Sequence, residues 1–319
     1  MRKYFESSII LLEIFFQQTQ FHFSRIEKDI VEELIKSHRE VPMCKIAVLP
    51  YCNAAPLVYF IPDFCYLSSI VTKYPSEMLD ELKSGRVDFA LMPVVDFLSD
   101  NTLNMVPGMG ICASGPVESV LLQSVKPFEK IESIRLFSES KTSNVLIKIL
   151  ISQYFGVDHS IQFTTEDIET DAYIVIGDKA IKQNSSKYTY DLSEMWYKQT
   201  NLPFVFAVWV YKTNCSYISK IEPILKSSKE KGLLNIPLLT RIYSEKLQLS
   251  PSYIQHYLTE CLYYDIGEKE IESINKFDEL IKKINQNETI IKVRSISPNN
   301  KETHEGIRKL YWNQESTVR

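Results

Sequence analysis

The chain has 319 residues, of which 45% are hydrophobic and 24% charged, and its formal net charge is -4. A chain of this length and composition can bury a large core and is expected to form about two domains. A general nucleic-acid binder is disfavoured, because neutralising phosphates requires clustered Lys and Arg, and the sequence has no such cluster. We therefore expect a small-molecule ligand.

Residues 1–42 differ in pattern from the rest of the chain. Arg2 and Lys3 precede an apolar run from Ile9 to Phe16, which resembles a signal peptide. Glu13 interrupts that run, no small-residue cleavage site follows it, and it is too short to span a bilayer. We predict a cytoplasmic protein with no membrane segment, in which residues 1–42 are a helical extension or an artefact of start-site assignment.

The cysteines and histidines do not form a recognisable metal motif. The six cysteines include no C-x-x-C pair, and the five histidines are scattered without helix-face pairing or nearby Cys ligands. Buried, reduced thiols are the expected state of the cysteines. The sequence predicts no bound metal.

From residue 43 onward, short apolar runs alternate with helical periods, which is typical of an α/β protein with mainly parallel strands. The predicted strands are residues 44–49, 68–72, 87–92, 117–125, 135–138, 172–176 and 204–211. The predicted helices are residues 75–84, 142–155 and 268–284. Pro223 and Pro237 leave residues 213–237 ambiguous, and residues 286–319 are predicted to be a polar tail.

The stretch from Gly108 to Ala113 fits the G-x-G-x-x-A form of the dinucleotide fingerprint. That motif requires a strand before it and a helix directly after it. Pro107 interrupts the preceding strand, and the residues from Val117 onward are predicted to be extended. We therefore reject a nucleotide site here.

Four blocks of sequence carry a resemblance to a known family. They are YCNAAPL at 51–57, GRVDFALMP at 85–93, GMGICASGPVESVLL at 108–122 and DLSEMWYKQTNLPFVFAVW at 191–209. In this order they resemble the chorismate dehydratases of the futalosine route to menaquinone, over roughly residues 43 to 285. Pro50, Cys52 and Lys141 depart from the residues usual in that family, which leaves the carboxylate contacts open.

The resemblance implies a two-lobed periplasmic-binding-protein-like type II fold, in which each lobe is a mainly parallel sheet flanked by helices. Lobe one would contain residues 43–116 plus 207–285, and lobe two residues 117–206. The ligand would then lie between the lobes, which agrees with the rule that open α/β sheets bind ligands beyond the carboxyl ends of their strands.

The activity implied is loss of water from chorismate to give 3-[(1-carboxyvinyl)oxy]benzoate, without a metal or an organic cofactor. Two alternatives stay open. One is the sister dihydroxynaphthoate synthase of the same pathway, which shares the scaffold but resembles residues 204–209 less well. The other is a non-enzymatic solute-binding protein for a small carboxylate. The oligomeric state is not predicted.

Asn53 is the strongest candidate catalytic residue, because an amide after the first strand of such a fold points into the cleft and can bond a hydroxyl or carboxylate. The alternative is an Asx-turn that stabilises Ala54 to Pro56. Tyr51 is a candidate substrate contact, with a core aromatic as its alternative.

Thr142, Ser143 and Asn144 open a predicted helix. Their backbone N-H groups and hydroxyls are suited to receive a substrate carboxylate at the positive end of the helix dipole. Ordinary N-capping is the alternative interpretation.

Three candidates lie in the predicted crossing between the lobes, where Ser114 and Gly115 are proposed to bind substrate and Ser119 to act in catalysis. All three are equally compatible with a turn. Asp178 is a further candidate for substrate binding, although it also fits a helix cap.

No general base is identified, since His159 lies in a polar connection and no positioned acidic pair is evident. Deprotonation by the enolpyruvyl carboxylate of the substrate itself is therefore a serious hypothesis.

Overall fold

The computed structural model describes residues 44–64, 69–155, 161–182 and 186–286. The predictions for residues 1–42 lie outside these ranges, as do those for the polar tail beyond Gln286. Among the described residues, no helix has the length and apolar character needed to cross a membrane.

The strands form two five-stranded sheets. Sheet one has the order β2-β1-β3-β10-β4, and sheet two the order β7-β6-β8-β5-β9. Sheet one contains β1 (Lys45–Val48), β2 (Ser69–Thr72), β3 (Phe89–Pro93), β4 (Leu103–Ala113) and β10 (Phe204–Lys212). Sheet two contains β5 (Val120–Ser124), β6 (Ser133–Arg135), β7 (Gln162–Thr164), β8 (Ala172–Ile176) and β9 (Tyr188–Asp191).

In each sheet four strands run in one direction and one strand runs against them. The reversed strands are β5 and β10, which are the strands that enter from the other sheet. They start at the edge where the other strands end, so they must run the opposite way. The predicted mainly parallel sheets are confirmed. Strand β10 of sheet one begins at Phe204, three residues before residue 207, where the second segment of lobe one was predicted to begin.

Helices pack around both sheets. They are α1 (Ala55–Val58), α2 (Ile61–Phe64), α3 (Met78–Lys83), α4 (Val94–Leu98), α5 (Lys141–Ile149), α6 (Gly177–Lys182), α7 (Leu192–Thr200), α8 (Ile218–Leu234), α9 (Ile236–Leu247), α10 (Pro251–His256) and α11 (Glu268–Gln286). Three-residue 3-10 turns occur at Cys52–Ala54, Pro75–Glu77 and Phe128–Lys130, and π-helical turns at Leu150–Phe155 and Tyr257–Cys261.

Strand β4 runs through the segment in which Pro107 was predicted to interrupt a strand. That prediction was wrong because β4 is an edge strand, and Pro107 falls in an irregular stretch where no ladder bond is needed from it. The Gly108 to Ala113 motif is thus part of a strand and is followed by no helix, which agrees with the rejection of a nucleotide site.

Two predicted strands have different limits in the structure. The strand predicted at 117–125 starts only at Val120, because Glu118 adopts a left-handed backbone with φ 59°. The strand predicted at 135–138 is Ser133–Arg135, because the chain at Phe137 turns toward α5 and both of its backbone polar groups bond the side chain of Asn144.

Helix α8 supports the segment that follows β1. It continues through Pro223, which costs one intrahelical hydrogen bond while Ile221 and Leu225 stay buried. Gly232 allows close approach, since a Cβ there would lie 2.0 Å from the carbonyl oxygen of Pro56. The Ser228 hydroxyl also donates to the Leu57 carbonyl at 2.9 Å, so α8 and α1 are firmly joined.

The return crossing into sheet one is anchored by Trp196 on α7. Its indole N-H is hydrogen-bonded to the Pro203 carbonyl at 3.3 Å and to the Ser273 hydroxyl at 3.2 Å. Its ring contacts Phe204 and Phe277 edge-on. Helix α11 thereby holds the start of β10. Its apolar stripe is buried at Ile274, Phe277, Leu280 and Ile281, partly buried at Ile284, and 39% exposed at Ile271.

Candidate functional site

A cleft lies between the two sheets, at the edge where the codirectional strands end. It encloses about 560 Å³ of empty space, part of which is open solvent. It is lined by Leu49, Tyr51, Asn53, Pro75, Pro93, Ile111, Val117, Ser119, Val120, Ser140, Thr142, Ser143, Ile176, Gly177, Phe206 and Ala207. The site is therefore mostly apolar, with a few hydroxyl groups and one amide.

The lobe-one wall carries the amide. Asn53 lies in the 3-10 turn just after β1, so the turn places its side chain at the carboxyl end of the strand. Its Oδ1 atom is buried and has no hydrogen-bond partner among the described residues. An Asx-turn would have used this oxygen, so the structure has no Asx-turn at Asn53.

Tyr51 stands beside Asn53 and faces lobe two. A Cβ added to Gly177 would lie 3.5 Å from the Tyr51 ring, so the ring closes one side of the cleft against α6. Burial, together with the negative charges of Glu139 and Asp178, raises the pKa of Tyr51 to about 12. The phenol is therefore a hydrogen-bond donor at neutral pH and a poor base.

The lobe-two wall is built on the first turn of α5. Ser140 is its N-cap, and its hydroxyl oxygen accepts from the Ser143 backbone N-H and lies 2.9 Å from the Ser143 hydroxyl. The Thr142 hydroxyl lies 3.5 Å from the Val95 backbone N-H of lobe one. These groups line the cleft at a helix N-terminus, where backbone N-H groups and the helix dipole favour an anion.

Ser119 lies where the chain crosses from lobe one to lobe two. It is buried, lines the cleft, and its carbonyl accepts a 2.7 Å hydrogen bond from the Gly177 backbone N-H. Its hydroxyl is hydrogen-bonded to Tyr257. Asp191 fixes the residues before it, since its Oδ2 accepts from Val117 N-H at 2.8 Å and from Glu118 N-H at 2.7 Å.

Two further polar contacts among the described residues join the lobes across the cleft. Lys141 at the start of α5 pairs with Asp96 on α4 at 2.9 Å, and burial raises the pKa of Asp96 while Lys141 opposes that rise. On the other side, the Cys52 backbone N-H donates to Asp178 Oδ1 at 3.2 Å. Burial likewise raises the pKa of Asp178.

Four residues predicted to bind substrate do not line the cleft. Ser114 is exposed, and Gly115, with φ 110°, lies in the bend that follows β4. Asn144 is engaged with the backbone of Phe137, and Asp178 with that of Cys52. The remaining candidates, Tyr51, Asn53, Ser119, Thr142 and Ser143, are brought together in the lining.

The sequence interpretation missed other lining residues. Ser140 was left out although it directly precedes the helix start, and a Ser followed by a helical period is a usual N-cap signal. Phe206 and Ala207 lie in the fourth sequence block but were interpreted only as strand residues. Ile176 and Gly177 carried no signal, since their place in the lining depends on how β8 meets β5.

The cleft is suited to a small carboxylate. Hydroxyl and backbone donors converge on one side, an amide with an unpartnered oxygen lies on the other, and apolar residues surround them. Among the described residues, those that line the cleft include no His, Asp, Glu, Lys or Arg.

A family profile described as menaquinone biosynthesis matches residues 44–283. The chain belongs to this menaquinone biosynthesis family. The match covers both sheets and all the residues that line the cleft.

Two curated proteins similar to this member of the family are both named chorismate dehydratase. The one from Thermus thermophilus is 27% identical over 239 residues, which is 67% of this chain and 86% of that protein. The one from Campylobacter jejuni is 27% identical over 247 residues, which is 74% of this chain and 97% of that protein.

Solved structures agree on the fold. Protein AF1704 from Archaeoglobus fulgidus has a TM-score of 0.63 at 13% identity, covering 76% of this chain and 98% of that one. A Candida albicans protein described as having the generic periplasmic binding protein fold has a TM-score of 0.50 at 12% identity, covering 76% of this chain and 91% of that one. The predicted two-lobed periplasmic-binding-protein-like fold is confirmed.

Proposed function

We propose that this chain is a chorismate dehydratase, a hydro-lyase that converts chorismate to 3-[(1-carboxyvinyl)oxy]benzoate and water in menaquinone biosynthesis. One observation carries the proposal: two curated chorismate dehydratases align with the chain over 86% and 97% of their own lengths. The cleft adds support, because hydroxyl groups and a helix N-terminus in its lining can donate to a carboxylate.

The reaction removes the hydrogen on ring C3 and the hydroxyl on ring C4. The electrons of the C3-H bond form the new C3-C4 double bond as the C4-O bond breaks, and the ring becomes aromatic. Charge spreads from C3 into the ring carboxylate on the way. A catalyst therefore has to hold two carboxylates, stabilise that charge and supply a proton to the departing hydroxide.

The polar groups of the cleft divide these tasks between the two walls. We assign the first turn of α5, with Ser140, Thr142 and Ser143, to one substrate carboxylate, because this turn offers hydroxyl and N-H donors at a helix N-terminus. Asn53 is assigned to the reacting face, because its Oδ1 lacks a partner and its NH2 group can donate to the departing oxygen. Ser119 also lines the cleft.

The described residues that line the cleft offer no evident acceptor for the proton at C3. The lining contains no carboxylate or imidazole, Tyr51 has a pKa raised to about 12 by burial, and His159 lies outside the described residues. We infer that the enolpyruvyl carboxylate of chorismate takes the C3 proton and passes it to the leaving hydroxide, which departs as water. No net proton is then exchanged with the protein.

The deciding experiment is incubation of the purified full chain with chorismate, followed by mass and by growth of benzoate absorbance. We expect loss of one water from chorismate, with heat-denatured protein as the control. Intact chorismate in the presence of folded protein would overturn the proposal. Turnover of a cyclised futalosine-derived substrate would then identify the sister synthase, and chorismate binding without turnover would identify a binding protein.

A substrate analogue tests the proton path separately. A chorismate analogue that lacks the enolpyruvyl carboxylate is expected to bind, because the ring carboxylate keeps its donors, but not to lose water. Turnover of this analogue at the rate seen with chorismate would rule out the substrate as the base. The predicted cytoplasmic location and the absence of an organic cofactor stay predictions.

A further inference from the structure

A second cluster of reactive side chains lies behind the segment that crosses from β4 to β5. Glu118 from that segment meets His256 at the end of α10 and Cys261 at the end of the following π-helical turn. His256 Nε2 is 3.6 Å from Glu118 Oε1 and 3.4 Å from Cys261 Sγ. All three ligand atoms lie within 4.8 Å of one another.

The two separations from His256, 3.6 Å and 3.4 Å, match the edges of a metal coordination tetrahedron. With Zn-S near 2.3 Å and Zn-N or Zn-O near 2.0–2.1 Å, tetrahedral angles put neighbouring ligand atoms roughly 3.3–3.6 Å apart. A surface ion pair between Glu118 and His256 would not by itself place the Cys261 thiol at the same point. One carboxylate, one imidazole and one thiol are a ligand set of zinc sites, and the soft thiolate disfavours Mg²⁺ and Ca²⁺.

The π-helical turn is what brings His256 and Cys261 together. Residues five apart in an α-helix are separated by roughly 140° around the axis, so they face different directions. The wider turn at Tyr257–Cys261 places position 261 beside position 256. This explains why the spacing carried no metal signal in the sequence and why the expectation of no Cys near a histidine was wrong.

Glu118 is held in an unfavourable backbone conformation. Its φ of 59° is left-handed, a conformation that is unfavourable for a non-glycine residue. The carboxylate of Asp191 maintains this conformation by accepting from the Glu118 backbone N-H. The Tyr253 hydroxyl donates to the Glu118 carboxylate, which orients it in the way that outer-shell groups orient metal ligands.

Access and coordination number also fit. Cys261 is buried with 5% exposure, whereas the side chains of His256 and Glu118 are 50% and 39% exposed. An ion can therefore enter from solvent on the His256 and Glu118 side, and a water molecule can complete the fourth position.

We propose that Glu118, His256 and Cys261 bind one divalent zinc-class ion that ties the crossing segment to helix α10. Formation of the metal-sulfur bond releases the thiol proton to solvent. Val117 and Ser119, on either side of Glu118, line the substrate cleft, so the ion stiffens the segment that carries them. The site is separate from the groups assigned to dehydration and does not depend on that assignment.

The test uses the full chain, stripped with a chelator and then titrated with zinc chloride in a calorimeter. We expect a saturable site that is lost, by more than about 100-fold in affinity, in Cys261→Ser and in His256→Gln, since losing a direct ligand exceeds the cost of losing an outer-shell partner. Cys215→Ser is the matched control, because Cys215 is a free cysteine outside the cluster, and it is expected to bind as the unaltered chain does. Magnesium chloride is expected to give no binding.

Cobalt(II) supplies an independent readout. The cobalt-loaded chain is expected to show thiolate-to-cobalt charge-transfer absorption that Cys215→Ser keeps and Cys261→Ser loses. Zinc affinity in Cys261→Ser and His256→Gln equal to that of the unaltered chain would overturn the proposal, because neither side chain would then be a ligand. So would the absence of saturable zinc binding. Melting curves without metal verify that each variant folds. If Cys261→Ser does not fold, His256→Gln tests the proposal alone, because its position is half-exposed.

Discussion

The two walls of the cleft differ in how their polar groups are satisfied. On the lobe-two wall, the hydroxyl of Ser140 is bonded to Ser143, and that of Thr142 reaches the Val95 N-H of lobe one. On the lobe-one wall, the buried Oδ1 of Asn53 has no partner among the described residues. A buried amide oxygen without a partner costs free energy, so its position points to a ligand group that completes it. The lobe-two groups hold their shape before a ligand arrives.

The largest effect is expected at Asn53. Asn53→Ala should lower kcat by about 10³-fold, because it removes a donor placed at the reacting face. Turnover of chorismate by the variant is the measurement, and an unchanged melting temperature serves as the folding control. Activity close to that of the unaltered chain would remove Asn53 from the site and leave its unpartnered oxygen unexplained.

The support behind the lobe-one wall gives the next largest effect. Gly232→Ala is expected to destabilise the fold by about 3 kcal/mol, because the new Cβ would lie 2.0 Å from the Pro56 carbonyl oxygen. Denaturant unfolding measures it.

Gly177→Ala is the matched control on lobe two. Its new Cβ would sit 3.5 Å from the Tyr51 ring, which is ordinary contact, so only the left-handed backbone, with φ 58°, contributes a cost of about 1 kcal/mol. Equal losses in the two variants would contradict the tight approach of α8 to α1.

A smaller effect is expected on the lobe-two wall. Ser143→Ala should lower kcat/KM about tenfold, because one hydroxyl is lost while the backbone N-H of residue 143 still bonds Ser140. Ser152→Ala, in the π-helical turn after α5, is the control outside the cleft lining. If Ser143→Ala lost as much activity as Asn53→Ala, the proposed difference between the walls would be wrong.

The smallest effect concerns pH. Burial raises the pKa of Asp178, so the unfolded chain loses this proton before the folded chain does. The contribution of Asp178 to the free energy of unfolding is therefore fully present below the ordinary Asp pKa, about pH 4. It declines as pH rises from there toward the raised pKa of the folded chain. Asp178→Asn keeps an oxygen to accept from Cys52 N-H but does not titrate. Its advantage in unfolding free energy should grow through this window, and parallel pH curves would contradict the buried carboxyl.

Much of the fold was predictable because buried strands leave local marks. Runs such as Phe89–Pro93 are buried at every position. Their continuous apolar pattern predicts a strand without information about the neighbouring strands. Strand β4 was missed because tolerance of Pro107 depends on its place at a sheet edge, which is a property of the assembled sheet. The limits of β5 depended on the backbone of Glu118, which no local pattern indicates.

The site was predictable in part for the same reason. Asn53 and Thr142 lie directly after a strand and at a helix start, positions that a chain pattern locates. Asn144 and Asp178 occupy equally suggestive positions, but their side chains are used by Phe137 and by Cys52, the latter 126 residues away. Which way a polar side chain turns at an element's end is decided by partners that only the folded chain supplies.

The position of β10 has a consequence for the order of folding. Sheet two is made from one continuous stretch, β5 to β9. Sheet one is completed by β10, which lies between β3 and β4 and follows that whole stretch in the chain. During synthesis, lobe two can therefore close while β3 and β4 still lack the strand that lies between them. Strand pairings between residues distant in the chain form slowly. We therefore expect the final, rate-limiting step of folding to be the pairing of β10 with β3 and β4. A ribosome-bound chain ending before Phe204 would then expose two apolar strand edges that chaperones can recognise.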